Sequence, residues 1–232
     1  MHDDLLTLES VDQDGAIRET FEAAAGESRA DLLRKAFLLG GGLVSGTAVL
    51  GLLAESAEAR HRRDVSILNF ALTLEYLEAA FYTEARRRGA LSGATAEFAR
   101  VVGAHERAHV AVLKRVLGRS AVRKPKFDFR DTTESQAKFQ RTAMSLEDVG
   151  VTAYQGQAPR ISAKAVLAAA GGILAVEARH AAWIRDIIGD GDGPSPAPAA
   201  FNPARTKAEV LRVVNATGFI VRRPPRRGSR RS

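Results

Sequence analysis

Glu106-Arg107-Ala108-His109 recurs further along the chain as Glu177-Ala178-Arg179-His180. Each pair sets a carboxylate and an imidazole three positions apart, so on an α-helix both leave the same face one turn apart and can reach a common ion. One such pair arises readily by chance, but two in a chain of 232 residues point to a shared site. Both lie in segments whose apolar residues repeat at helical spacing. Segment 94–117 carries Phe98, Val102, Leu113 and Val116 on one face and ends at Gly118; segment 162–188 carries the second pair. Two further segments share the pattern, 64–88 with Leu68, Leu72, Ala79 and Tyr82, and 133–155 with Phe139, Met144, Val151 and Tyr154. Gly89 stops the first after Arg86, Arg87 and Arg88, while Gly156 and Pro159 separate the third from the fourth.

The connections order these helices. Gly89 to Gly93 is a short turn, so the first two run antiparallel. Between the second and third lies the stretch 119–132, with Pro125 and an extended-looking Lys126-Phe127-Asp128-Phe129. At about 3.3 Å per residue this stretch spans roughly 46 Å, more than the roughly 36 Å of a helix as long as the second, so it can return along the whole bundle. The expected fold is all-α, a four-helix bundle with one long crossover and a short C-terminal helix packed outside it. That last helix covers 203–217, opened by Asn202 as cap and Pro203 in its first turn.

The other two bundle helices supply what the pairs lack. Glu75 lies on the apolar stripe between Leu72 and Ala79, and Glu147 between Met144 and Val151. A carboxylate on a core stripe is costly unless paired or metal-bound, and four converging carboxylates repel one another. Two divalent cations offset four carboxylates and leave His109 and His180 as neutral nitrogen donors, a set suited to iron or manganese. The interval from Glu75 to Glu106 matches that from Glu147 to Glu177 to within one position, and Tyr82 and Tyr154 each follow their glutamate by two helical turns. The chain reads as two copies of one helix pair related by a pseudo-twofold axis.

The run Leu68-Asn69-Phe70-Ala71-Leu72-Thr73-Leu74-Glu75-Tyr76-Leu77-Glu78-Ala79, with the two repeated pairs and Glu147, resembles the ferritin-like superfamily of di-iron carboxylate proteins, closest to its exported, desiccation-related stress-protein branch. The likeness covers about residues 64–188. It implies Glu75 and Glu147 as terminal ligands, Glu106 and Glu177 as bridging ligands and His109 and His180 as terminal nitrogen ligands of two iron or manganese ions. The resemblance carries no single activity, because its members include iron oxidation, peroxide removal and substrate oxygenation. Tyr82, Tyr154 and Glu78 are candidates for positions just outside the ligands, with Glu78 expected on a solvated helix face. His105 points about 100° away from Glu106, and Trp183 reads as packing.

Composition bounds the remainder. The chain has no cysteine, which excludes disulfides, thiolate catalysis and Cys-ligated metal. Its net charge of +7 is unevenly spread: residues 1–59 hold 11 acids against Arg18, Arg29, Arg34 and Lys35, a balance of −7, so the rest carries +14. Residues 36–53 are uncharged and follow Arg34-Lys35-Ala36-Phe37-Leu38, which resembles the twin-arginine export motif with lysine in its second place. They lead to Ala57-Glu58-Ala59, small residues at the positions a signal peptidase reads. The expectation is an exported protein, with 1–59 an acidic lead and a cleaved signal or a retained membrane anchor, 60–190 the bundle, 191–202 a linker, 203–220 the short helix and 221–232 a disordered tail. That tail carries six arginines, suited to an anionic envelope surface; without aromatic interleaving or a reading motif it does not point to nucleic acid. The expected function is redox chemistry of two metal ions with dioxygen or peroxide, in a chain that could pair as a homodimer. The alternative is a stress or envelope protein whose metal only staples the bundle.

Overall fold

A computed structural model describing residues 57–189 and 195–221 shows five α-helices among those residues. They are α1 Ala57–Arg88, α2 Gly93–Leu117, α3 Gln136–Gln157, α4 Lys164–Gly189 and α5 Lys207–Thr217. The lead and apolar segment up to residue 56, part of the linker at 190–194 and the arginine tail at 222–232 lie outside the described residues. The first helix is already formed at Ala57, the first described residue and ahead of the expected 64, because nothing between Ala57 and Asp64 breaks it and Arg62 pairs with Glu58 one turn back at 2.7 Å. Gly89 ends it with φ 71°, a conformation that favours glycine, with three arginines against the negative helix end.

Other boundaries also depart from expectation. Ser135 caps α3 by accepting from the Lys138 amide, so residues 133–135 precede the helix instead of opening it. Gly156 does not stop α3. A Cβ there would stand 1.9 Å from the Arg205 carbonyl oxygen, and Arg205 donates its amide to the Thr152 carbonyl at 3.0 Å, so Gly156 admits a crossing backbone. That crossing keeps 203–205 non-helical, and Thr206 with Glu209 forms the capping box of α5 in place of Asn202 and Pro203.

The order α1 and α2 antiparallel, crossover, α3 and α4 antiparallel makes the bundle. The crossover starts beside Asn69, which bonds Ser120 O and the Val122 amide at 2.9 and 2.8 Å, and ends where Thr133 donates to Glu84 at 3.0 Å. It therefore travels about 22 Å along α1. Gln136, opening α3, accepts from the amide and hydroxyl of Ser92, so α3 starts where α2 starts. Asp64 of α1 closes the other end by accepting from the Ser162 and Ala163 amides ahead of α4.

Phe81, Tyr82, Phe98 and Phe139 fill one end of the core, and Phe129 of the crossover packs edge-on to Phe81. An isolated bridge, Phe127 to Ile220, ties the crossover to the residues after α5, whose Val210 and Val214 are buried on the outside of the bundle. Val116 is exposed; Leu117 takes the inward position in its place.

Candidate metal centre

Midway along the bundle each helix turns a carboxylate inward. Glu75 comes from α1, Glu106 from α2, Glu147 from α3 and Glu177 from α4, and all four are fully buried, with His109 and His180 one turn beyond Glu106 and Glu177. His109 Nδ1 lies 3.2 Å from Glu75, 3.1 Å from Glu106 and 3.2 Å from Glu177. His180 Nδ1 lies 3.1 Å from Glu106, 3.2 Å from Glu147 and 4.0 Å from Glu177. Two four-residue groups result, Glu75–Glu106–His109–Glu177 and Glu106–Glu147–Glu177–His180, each with donor atoms within 4.8 Å of one another. Glu106 and Glu177 belong to both.

Hydrogen bonding does not account for this crowding. A ring nitrogen carries at most one proton, so one nitrogen near three carboxylates leaves most contacts between acceptors. Glu106 Oε1, Glu147 Oε2, both Glu177 oxygens and His180 Nδ1 are buried without a hydrogen-bond partner. Such atoms are costly in a protein interior unless something else binds them. Metal–ligand bonds of about 2.1 Å at right angles would set neighbouring donors about 3.0 Å apart, close to the spacings here. Oxygen-rich, nitrogen-containing and fully buried, the donor set fits divalent iron or manganese.

Around the centre the two helix pairs exchange supports. Tyr82 of α1 donates its hydroxyl to Glu147 of α3, and Tyr154 of α3 donates to Glu75 of α1 at 2.5 Å. Both hydroxyls thus hold the carboxylate of the opposite pair. Glu78, expected in solvent, is instead 3 % exposed. The inward line of α1 runs Ala71, Glu75, Glu78, Tyr82, Ala85 at alternating steps of four and three, and every member is buried; reading the stripe through Leu68, Leu72 and Ala79 hid it. His105 is half-buried, its ring stacked on that of His180, with Nδ1 2.9 Å from His180 Nε2. Its side position on α2 was legible, but its contact needed the approach of α4. Trp183 packs edge-on to Phe98.

Electrostatics follow from the same geometry. Burial pushes the Glu75 carboxyl up to about 7 against the pull of His109. It also raises Glu147, and raises Glu177 strongly, where Glu106 and Glu75 add repulsion. At Glu106 the effect of burial is reversed by the adjacent imidazoles of His109 and His180, which hold it well below the usual carboxylate range. Burial works against a charged imidazole, yet the carboxylates hold His109 well above its ordinary value and raise His180 to about 10. In the protein alone, protons take up the charge that cations would neutralise.

Compared with known families, residues 63–190, more than half of the chain, match the ferritin-like domain. No curated protein matches the chain.

Proposed function

Because the chain belongs to the ferritin-like domain family, we propose that it binds two iron or manganese ions between its four bundle helices and reacts them with dioxygen or peroxide. Glu75 and His109 would hold one ion, Glu147 and His180 the other, and Glu106 and Glu177 would bridge both. The observation that carries this reading is the set of buried, unpartnered carboxylate and imidazole atoms common to two overlapping four-donor groups. When bound, such ions supply electron transfer and a positive centre for an oxygen ligand.

The chain's own residues prepare the site. Tyr82 and Tyr154 fix the orientation of Glu147 and Glu75, each through one hydroxyl proton. Phe81, Phe98 and Phe139 close the end of the bundle beside Tyr82 and keep water from that side. Export through a twin-arginine route is part of the proposal. It is supported by Arg34-Lys35-Ala36-Phe37-Leu38 and the uncharged 36–53, and fractionation of the native host tests it. Oxidative or desiccation stress is the setting we infer.

Metal analysis of the purified full-length chain, followed by reconstitution, tests the reading. Two ions per chain are expected, and Glu106→Ala with Glu177→Ala should abolish both. Full stoichiometry in that double variant sinks the idea. A second reading, metal as a staple without turnover, is favoured by one observation: the centre joins all four helices. Oxygen uptake or peroxide loss by the reconstituted protein excludes it; a raised melting temperature with no turnover supports it.

A further inference from the structure

Glu78 is a fifth buried carboxylate at the centre, and its surroundings set it apart from its pseudo-twofold counterpart. The spacing of Glu75, Glu78 and Tyr82 along α1 is repeated by Glu147, Gly150 and Tyr154 along α3, so Gly150 occupies the place that corresponds to Glu78. The missing side chain is used. A Cβ on Gly150 would stand 2.7 Å from Glu177 Oε2 and 3.4 Å from Glu78 Oε1, so carboxylate oxygens of α1 and α4 share the space that α3 leaves open. Glu177 is fully buried, and neither of its oxygens has a hydrogen-bond partner.

We propose that Glu78 is a fifth carboxylate ligand of the metal centre, holding one of the two ions together with Glu177 on the side of Gly150. This rests on the di-metal reading above. Two carboxylate oxygens brought together in a protein interior are stabilised by a cation between them, and helix α3 contributes the room for both by having no side chain there. The chemical consequence concerns charge. Four glutamates neutralise two divalent ions, whereas a fifth leaves one negative charge in excess, which favours ions able to take a trivalent state. Iron and manganese do so; zinc and magnesium do not. The burial that hid Glu78 from the sequence pattern acts together with repulsion from Glu177, Glu106, Glu147 and Glu75 to raise its carboxyl well above the ordinary range when no cation is present.

The test is a titration of the full-length chain with manganese(II), free ion being counted by its paramagnetic resonance signal. Wild type is expected to take up two ions. Glu78→Gln keeps the shape of the side chain and removes its charge, and should weaken one ion at least about tenfold while leaving the other unchanged. Two ions with both affinities within twofold of wild type would overturn the proposal. Should Glu78→Gln lose helical content, Glu78→Asp takes over. It keeps the charge but draws the carboxylate back by one methylene, so the same selective weakening supports the proposal and unchanged affinities overturn it. Wild type binding fewer than two ions would instead strike the di-metal reading itself.

Discussion

The α1/α2 pair and the α3/α4 pair carry the same ligand framework in different surroundings. Both present a glutamate and a tyrosine seven apart on the first helix, then a glutamate and a histidine three apart on the second. Beyond that they diverge. Where α1 has Glu78, α3 has Gly150; where α2 has His105, α4 has Val176. Helix α1 buries residues on all its faces between Ile67 and Ala85 because the crossover covers the side that would otherwise meet water, while α4 leaves Leu167, Gly171 and Gly172 exposed. Symmetry is thus kept in the residues common to the two donor groups and abandoned around them.

The largest effect should come from the terminal carboxylates. Glu75 belongs to the His109 group alone and Glu147 to the His180 group alone. Glu75→Ala and Glu147→Ala should each cost one ion per chain and spare the other, measured as metal content after gel filtration. A variant that loses both ions, or neither, would break the division of the centre into two halves.

Acidification asks whether the halves release their ions together. Protons compete with metal at every ligand, so the loaded protein should lose stability as pH falls, with release around or below about pH 5 as the imidazoles and then the carboxylates are protonated. Because Glu106 and Glu177 serve both groups, one release step is expected. The metal-free protein runs the other way. Glu75 gives up its proton near 4.5 when unfolded and near 7 when folded, so stability falls as pH rises through that window. The His180 contribution is complete below 6.5 and is lost as pH rises toward about 10. Glu106, held low, opposes this only as pH falls below about 4.5, its unfolded value. Melting temperatures against pH should therefore converge on acidification with and without metal. Parallel curves between pH 7 and pH 4 would remove the shared site.

Much of this was legible in the sequence, for identifiable reasons. Helix periodicity, the long crossover and the two Glu–His pairs are local or counted along the chain, and they delivered the bundle and the six converging residues. Other features depend on what meets across helices. Asn202 and Pro203 make a good helix start in isolation, but the backbone crossing at Gly156 moves the start to Thr206. Glu78 looked solvated because charge usually signals a surface; only the α1 register and the open space at Gly150 show otherwise. Val116 fell on the apolar stripe of α2, yet in that last turn Leu117 takes the inward position and Val116 faces out.

His105 offers a narrower probe of the asymmetry. A histidine that binds metal through one nitrogen is commonly oriented through the other, and His180 turns Nδ1 to the carboxylates and Nε2 to His105. Burial and the neighbouring imidazoles lower His105, keeping it neutral and able to accept that proton. His105→Leu should weaken the His180-side ion about 10- to 100-fold, with partial recovery in His105→Gln, whose carbonyl can accept. The His109-side ion should change little, because no histidine stands at Val176. Equal weakening of both ions in a manganese titration would refute a one-sided role.

The smallest effect should be symmetric. Tyr82 and Tyr154 each give one hydrogen bond to a terminal carboxylate of the opposite helix pair, so Tyr82→Phe acts on Glu147 and Tyr154→Phe on Glu75. A hydrogen bond to a charged group contributes about 1.5–3 kcal/mol. Part of that is recovered when the freed carboxylate leans further onto its ion, so each variant should lose about tenfold or less in affinity for a single ion. The rings remain, and with them the edge-on packing of Tyr82 against Phe81, Phe98 and Phe139, so helical content should be unchanged. The two losses should be alike in size and opposite in side: the His180-side ion for Tyr82→Phe, the His109-side ion for Tyr154→Phe. Losses on the same ion would mean that the tyrosines do not act through the carboxylates they touch, and the pseudo-twofold exchange of supports would fail as an account of how the two halves hold each other's ligands.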